Sequence, residues 1–297
     1  MKITTTGSLG NVAKPLVKKL IAAGHEVTVI STKDDRKIEI EALGAKAAIG
    51  SISDEVFLTE AFSGADAVYT MMPPSMGAGN MIDNIAEAGH AYANAIKAAG
   101  VKRVVMLSSV GADAAAGTGP VQGVHRVESI LQQLDNVNIT VLRSGFFYNN
   151  FLRDIPLIKS KGIFGNNYNG NDQLALTHPE DLSTALAEEL QVERERSGFE
   201  VKYIVSDVST GDEVAALLGQ AIGKPELVWT NIPDEQLKDG MLAGGLPPEL
   251  VGLIVEMGQG VRAGIIIRDF FTSGAKVTGQ IKLEQFAEEF KAAYLHA

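Results

Sequence analysis

The first thirteen residues constrain the fold of this chain more than any other stretch. Residues 2–6 (KITTT) are predicted to form a short buried strand, and the run GSLGNVA follows directly at residues 7–13. A helical pattern comes next, with Leu16, Val17 and Leu20 on one face. A strand, a glycine turn and a helix in this order predict a βα unit that binds a dinucleotide.

Each small residue of this turn has an expected task. Gly7 would let the chain turn sharply off the strand, and Gly10 would let a pyrophosphate approach the backbone at the start of the helix. Ala13 would let the helix pack closely on the strand. The spacing is G-x-x-G-x-x-A, which differs from the G-x-G-x-x-G of the commonest dehydrogenases. The alternative is a glycine turn that only packs.

Composition excludes several other classes of function. The 297 residues carry a formal net charge of −10, which argues against binding to nucleic acid or to an anionic membrane. The chain has no cysteine, so disulfides and thiolate metal sites are excluded, and we expect no metal site. No apolar run is long enough to span a bilayer, and no basic and then apolar leader is visible. We therefore expect a cytoplasmic protein.

The end of the second strand, residues 25–30, indicates the choice of cofactor. An acidic residue about twenty positions past the glycines would bind a ribose hydroxyl and select NAD. Here that place holds Ser31, with Lys33 and Arg36 close by and acids only at Asp34 and Asp35. Uncharged and basic groups suit a 2′-phosphate, so NADP(H) is the expected cofactor and NAD(H) remains possible. The alternative is that Lys33 is an ordinary surface lysine.

Strands and helices alternate through the first half of the chain, which predicts an α/β fold of the Rossmann type with a doubly wound parallel sheet. We expect this domain to comprise residues 1–150 plus about 174–206. A smaller C-terminal α/β lobe would comprise residues 151–173 plus 207–297. Residues 152–176 contain many glycines and asparagines and are predicted to form a loop or a short hairpin.

Loops at the carboxyl ends of parallel strands border the ligand crevice of such a sheet. Met71 and Met72 follow the fourth strand and are expected either to line a nicotinamide pocket or to fill the core. The glycine-rich loop 75–79 lies just beyond them. Residues 143–151 are predicted to be the exit loop of the sixth strand.

Four motifs together carry a resemblance to a known family. They are TGSLGNV at residues 6–12, LSSVGA at residues 107–112, LRSGFFYNNF at residues 142–151 and HPEDL at residues 178–182. In these motifs the chain resembles the NmrA-like group of atypical short-chain dehydrogenase/reductases. That group includes NADPH-dependent quinone reductases, triphenylmethane-dye reductases and redox-sensing regulators. The RSGFFxNN stretch is the motif most specific to the group.

The resemblance implies which residues bind the cofactor. They are Gly7, Ser8, Gly10, Asn11 and Val12 for the pyrophosphate, Ser31 and Lys33 for the adenosine phosphate, Ser51 and Ile52 for adenine, Met71 and Met72 for the ribose and nicotinamide, Ser108 and Ser109 for the nicotinamide ribose, and Gly145, Phe146 and Phe147 closing over the ring.

One departure from the wider superfamily concerns the proton donor. Its typical members use a tyrosine four residues before a lysine, which lowers the pKa of the tyrosine so that it can pass a proton. No such pair follows Ser109, and Val124 stands where many relatives carry a lysine. His125 is a candidate proton donor or ribose contact, or else a surface or capping histidine. Alcohol–ketone chemistry is therefore not expected.

The expected activity is hydride transfer from NADPH to a quinone or a similar conjugated acceptor, because such acceptors delocalise the arriving charge and need positioning more than a strong acid. Phe146, Phe147 and Tyr148 would supply flat walls, and Tyr148 or Asn149 a hydrogen bond. The alternative is a non-catalytic NADP(H) sensor, monomeric or homodimeric like the enzyme, that binds a protein partner. A nucleotide-sugar epimerase ranks last because it would need the tyrosine–lysine pair.

Overall fold

A computed structural model describes residues 1–73, 79–192 and 197–297. The strands of these residues are β1 Lys2–Thr5, β2 Glu26–Ser31, β3 Lys46–Ile49, β4 Ala67–Thr70, β5 Arg103–Ser109, β6 Asn138–Ser144, β7 Phe146–Phe147, β8 Phe164–Asn166, β9 Gln173–Thr177, β10 Gly198–Ile204, β11 Asp207–Thr210 and β12 Trp229–Asn231.

The helices of the same residues include one 3-10 helix, Tyr148–Asp154, between β7 and α6. The α-helices are α1 Ala13–Ala22, α2 Arg36–Ala42, α3 Glu55–Phe62, α4 Met81–Ala99, α5 Val121–Leu131, α6 Ile155–Lys161, α7 Pro179–Gln191, α8 Gly211–Ala221, α9 Asp234–Ala243, α10 Pro248–Arg262, α11 Ile265–Thr272 and α12 Leu283–His296.

The chain divides into two compact units, and the first contains residues 1–108, 123–143 and 182–202. Its centre is a seven-stranded sheet in the order β10-β6-β5-β4-β1-β2-β3. The pairs β1–β2, β1–β4, β2–β3 and β4–β5 are parallel. The chain runs outward from β1 to β3 and then returns to the other side of β1 as β4. The prediction of a Rossmann-type, doubly wound parallel sheet is confirmed.

Local signals explain why the helices of this unit begin and end where they do. Leu16, Val17 and Leu20 face inward from α1 and are fully buried, as the apolar spacing predicts. Asp54 caps α3 by accepting hydrogen bonds from two backbone N–H groups. Gly100 ends α4 in the left-handed conformation, with φ of 70°, which glycine adopts without strain.

The second unit contains residues 109–122, 144–181 and 203–297. It holds a three-stranded sheet in the order β11-β9-β7 and a parallel two-stranded pair, β12-β8. Its core is rich in aromatic side chains, among them Tyr148, Phe151, Phe164, Trp229 and Phe286. A capping box at Thr210 starts α8, as the sequence indicates.

Two sequence predictions in this unit are wrong. Residues 152–176 are not a loop or a short hairpin, because they contain α6, β8 and most of β9. Residues 143–151 are not a simple exit loop either. The strand β6 continues to Ser144, Phe146 and Phe147 then pair with β9 as β7, and the 3-10 helix begins at Tyr148. These elements are short, so they are held by tertiary pairing more than by local propensity.

The described residues contain no single helix with the length and apolar composition needed to cross a membrane. The helices α10 and α11 meet those two criteria only when they are taken together across a bend of 49°.

A carboxylate of the second unit gives a prediction about stability. Burial raises the pKa of Asp154 to about 7, although Arg153 opposes the shift. The folded protein therefore binds a proton that the unfolded chain releases near pH 4, and stability falls as the pH rises from about 4 to about 7. We expect Asp154→Asn to raise the free energy of unfolding at pH 8 by about 2–4 kcal/mol.

The same substitution should change stability little at pH 4, where the carboxyl is protonated in the folded protein and about half protonated in the unfolded chain. Urea unfolding at pH 4, 6 and 8 tests this, because the gain from the substitution must grow with pH. A gain that is equal at all three values would show that Asp154 does not titrate in this range.

Candidate functional site

The turn between β1 and α1 has an unusual backbone. Gly7 has φ of +91° and Ser8, although it carries a side chain, has φ of +53°. A Cβ atom on Gly7 would lie 2.9 Å from Met71 Cγ, so the position is closed to larger residues by both conformation and space. This geometry agrees with the prediction from the sequence that Gly7 lets the chain turn sharply off the strand.

The start of α1 is suited to an anion. Gly10 and Asn11 are exposed, and the nearest heavy atom to a Cβ on Gly10 would be Gly7 O at 3.8 Å. Within the described residues, Val12 at the N-cap makes no side-chain capping bond and the first turn contains no acid. The first N–H groups of a helix lack intrahelical partners and carry the positive end of its dipole. This helix start therefore offers them to a negatively charged ligand.

Hydrogen bonds fix the end of β4 beside this turn. The backbone N–H of Met71 donates to Thr6 Oγ1 at 2.9 Å, and the Tyr92 hydroxyl donates to Met71 O at 3.0 Å. Burial raises the pKa of Tyr92, so its hydroxyl stays protonated and remains a donor. The Met71 backbone is therefore held in place beside Gly7, at the point where the strand order reverses. Met72 packs against the hydrophobic core.

The end of β2 is joined to the same turn. The Ser31 side chain is buried, and its Oγ lies 3.1 Å from Ser8 Oγ. The backbone N–H of Lys33 donates to Ser31 Oγ at 3.2 Å. The Ser31 hydroxyl thus shapes the loop, whereas the Lys33 side chain is exposed.

The loop after β3 contains the two residues predicted to touch adenine. Ser51 is exposed and its Oγ accepts a hydrogen bond from the Ser53 N–H at 3.1 Å, whereas Ile52 is buried in the core. The backbone N–H of Gly50 donates to Ser31 O at 2.9 Å. This loop is therefore held beside the end of β2.

A buried polar triad that the sequence did not reveal lies at the end of β5. The Ser108 hydroxyl donates a short hydrogen bond to Glu128 on α5. Arg143 on β6 binds the same carboxylate twice, with Nε to Oε1 at 3.0 Å and Nη2 to Oε2 at 2.6 Å. All three side chains are more than 90% buried. Glu128 therefore orients the proton of Ser108 inward.

His125 lies on the same helix as Glu128, one turn before Ser129. It is half-buried, and its backbone carbonyl accepts a hydrogen bond from Ser129 Oγ at 3.1 Å. The described residues contain no group of three or more histidine or carboxylate side chains able to hold a metal ion.

The remaining residues that were predicted to form the site belong to the second unit. The first of them is Ser109, whose hydroxyl donates a hydrogen bond to Val110 O at 3.0 Å. The Gly145 N–H donates to Thr177 Oγ1 at 2.8 Å. A Cβ on Gly145 would lie 2.4 Å from Ala175 O, so this glycine lets β7 lie close to β9. Phe146 and Phe147 are both half-buried.

Tyr148 and Asn149 differ in what they can offer a ligand. Tyr148 is fully buried, its ring stacks on Phe286, and its hydroxyl donates to Asp207 Oδ2 at 2.7 Å. Burial, followed by the bond to Asp207, raises the pKa of Tyr148, so its proton is held within the core. Asn149 Oδ1 is buried without a hydrogen-bond partner among the described residues. Of the two, Asn149 is the one with unused hydrogen-bonding capacity.

The predicted residues therefore fall into two sets. Hydrogen bonds or contacts link Ser8 to Ser31 and Gly7 to Met71 within the first unit. Residues 145–149 are consecutive in the second unit. Of the glycine-rich loop 75–79, residues 75–78 lie outside the described residues.

Comparison with known proteins places this site in context. The model of the NmrA-like family matches residues 1–262. An NAD(P)H azoreductase of Xenophilus azovorans is 26% identical over 260 residues, which cover 86% of this chain and 85% of that protein.

Two solved structures share the fold over nearly the whole chain. An NADPH-dependent quinone oxidoreductase of Escherichia coli, complexed with NADPH, has a TM-score of 0.80 and 21% identity, with coverage of 97% of this chain and 99% of that one. The triphenylmethane reductase of a Citrobacter species, complexed with NADP(H), has a TM-score of 0.78 and 19% identity, with the same coverage.

Proposed function

The chain belongs to the NmrA-like family, and from that premise we propose that it is a reductase that uses NADPH to reduce a flat conjugated acceptor such as a quinone, an azo compound or a dye. The observation that carries the proposal is the start of α1. It is a helix start without a side-chain cap, with Gly10 and Asn11 exposed, and it follows two residues of positive φ at the reversal of strand order where dinucleotides bind.

The residues of the first unit fit such a cofactor. We assign Gly7, Ser8, Gly10, Asn11 and Val12 to the pyrophosphate, because they form the turn and the open helix start. Ser51 and Ile52 would contact adenine. When bound, the cofactor supplies a hydride from its nicotinamide ring.

NADPH is favoured over NADH by the residues at the end of β2. Ser31 stands where an acid would select NAD, and the Ser31 hydroxyl holds the backbone of Lys33. The exposed ammonium of Lys33 would then meet the 2′-phosphate. The relatives described above that bind NADPH or NADP(H) support the same choice.

The triad at the end of β5 would position the nicotinamide ribose. Because the Ser108 hydroxyl donates its hydrogen bond to Glu128, its oxygen would meet a ribose hydroxyl as a hydrogen-bond acceptor. Arg143 neutralises Glu128 and holds it in place. Ser108 would contact the cofactor, whereas Glu128 and Arg143 would act through Ser108.

For the acceptor, we assign the flat wall to Phe147 and a hydrogen bond to Asn149. Burying a carboxamide oxygen without a partner is costly, so Asn149 Oδ1 is suited to accept a bond from a ligand N–H or O–H group. Tyr148 is not assigned the predicted hydrogen bond to the acceptor, because its hydroxyl is bound to Asp207. His125 is retained as the candidate proton donor because of its position on α5.

The partner we propose is therefore a small-molecule acceptor. The net charge of −10 argues against nucleic acid and anionic membranes. We also propose that the protein is a monomer or a homodimer and that it is located in the cytoplasm.

Phe147→Ala tests the acceptor assignment. We expect turnover with a quinone or dye to fall about tenfold, because the flat acceptor is less well positioned, while the Kd for NADPH stays unchanged. Phe271→Ala is the matched control, since it removes an exposed ring from α11 of the same unit. Equal turnover in the two variants would show that Phe147 does not position the acceptor.

A further inference from the structure

A cluster of charges lies on α1, α2 and the loop that follows β2. The Lys14 ammonium binds Glu39 Oε1 at 2.9 Å, and the Arg36 guanidinium binds Glu39 Oε2 at 2.6 Å. All three side chains are about two-fifths exposed. Lys33, three residues before Arg36, has no carboxylate within ion-pair distance in the part of the chain that the structure describes.

We propose that Glu39 is a specificity-determining residue that weakens the preference for NADPH by holding Lys14 and Arg36. The inference rests on the proposed function, since it concerns the phosphate that distinguishes NADPH from NADH.

The cluster stands where that phosphate is expected. Ser8, in the turn assigned to the pyrophosphate, contacts Ser31 at the end of β2. Ser31 holds the Lys33 backbone, and the Arg36 N–H donates to Lys33 O at 3.2 Å in a single turn. An adenosine ribose at the end of β2 would therefore bring its 2′ substituent to this cluster.

The charges explain how Glu39 acts. Lys14, Lys33 and Arg36 carry three positive charges, and Glu39 offsets one of them at the two cations that it binds; the loop also carries the exposed Asp34 and Asp35. The hydrogen bond from Lys14 and then that from Arg36 lower the pKa of Glu39, so it is ionised throughout the neutral range. A 2′-phosphate must either compete with Glu39 for the two cations or bind at Lys33 alone, with the carboxylate repelling it.

This competition is reversible because exposed ion pairs are weak. The cations can thus be released to a phosphate, which binds arginine with two parallel hydrogen bonds. A 2′-hydroxyl carries no charge, so NADH is not subject to the repulsion. The arrangement predicts a protein that prefers NADPH only moderately and still accepts NADH.

The test measures the Kd of NADPH and of NADH for the full chain and its Glu39→Gln variant, by cofactor fluorescence in low salt. Glutamine keeps the size of the side chain and removes its charge. We expect the Kd for NADPH to fall about threefold to tenfold and the Kd for NADH to change less than about twofold. The gain should shrink in about 1 M NaCl, where screening acts over roughly 3 Å.

Glu41→Gln is the matched control. It removes one negative charge from the same helix at an exposed residue that lies two positions away and therefore points elsewhere. It should leave the ratio of the two Kd values unchanged. Lys33→Gln should raise the Kd for NADPH about tenfold and leave the Kd for NADH unchanged.

Three results would overturn the inference. They are an unchanged Kd for NADPH in Glu39→Gln, equal tightening of NADPH and NADH in that variant, and the same change of the Kd ratio in Glu41→Gln. Because cofactor binding is measured without turnover, the effect of Glu39 on cofactor preference can be tested even if the protein binds NADPH but is not a reductase. A wild-type chain that binds neither cofactor would contradict the proposed function and the inference together.

Discussion

Arg143→Met should lower the free energy of unfolding by about 3–5 kcal/mol. The two hydrogen bonds from Arg143 neutralise Glu128 at a site where both side chains are less than 10% exposed. Methionine keeps much of the volume and leaves the Glu128 charge buried without its cation. Urea unfolding followed by circular dichroism measures the loss, since the single tryptophan, Trp229, lies in the second unit.

Two controls separate this effect from a general loss of an arginine. Arg126 lies on the same helix as Glu128 and forms an exposed ion pair with Asp83. Arg126→Met breaks this pair and should lower the free energy of unfolding by less than about 1 kcal/mol. The double variant Arg143→Met/Glu128→Met should recover most of the loss, because no buried charge remains. If Arg143→Met costs no more than Arg126→Met, the triad does not hold this unit together.

Gly7→Ala should weaken the binding of NADPH and of NADH equally, by at least about tenfold. The left-handed conformation is unfavourable for alanine by roughly 1–2 kcal/mol. In addition, the new Cβ would lie 2.9 Å from Met71 Cγ. Hydrogen bonds hold the Met71 backbone, so either the Met71 side chain or the turn must move, and we expect the N–H groups of the turn to lose their alignment to the proposed pyrophosphate.

Gly24→Ala is the control for this effect. Gly24 has φ of +83°, and a Cβ there would have no atom within 4 Å. Its substitution should lower stability by a similar strain but leave the cofactor Kd unchanged. Fluorescence titration of both variants shows whether the loss of affinity is specific to Gly7. An equal loss in Gly24→Ala would show that general backbone strain, and not the position of Gly7, weakens cofactor binding.

Much of the first unit could be predicted from the sequence because its signals are local. The run GSLGNVA has a short buried strand before it and an amphipathic helix after it, and Asp54 and Gly100 mark helix ends. Apolar periodicity and capping residues act over a few residues, so they can be read in a single sequence.

The second unit could not be predicted as well because its elements are short and depend on distant partners. The strand β7 is only Phe146–Phe147, and it exists because it pairs with Leu176 and Thr177. The helix α6 has seven residues and precedes a stretch rich in asparagine and glycine. Neither pattern is long enough to show a period.

The site shows the same contrast. The glycine turn and Ser31 could be located by their spacing, but Tyr148 could not be distinguished from a ligand-facing aromatic. Its partners, Asp207 and Phe286, come from far along the chain. The Ser108–Glu128–Arg143 triad also joins three elements, and the clearest signal for it would have been two charged residues on otherwise buried faces of α5 and β6.

The most direct test of the central claim is the consumption of NADPH at micromolar protein in the presence of quinones, azo dyes and triphenylmethane dyes, repeated with NADH. The account predicts protein-dependent consumption with at least one acceptor, faster with NADPH than with NADH, and lost in Gly7→Ala. Tight NADPH binding on the same sample with no consumption for any acceptor class would contradict the reductase and favour a cofactor-sensing protein.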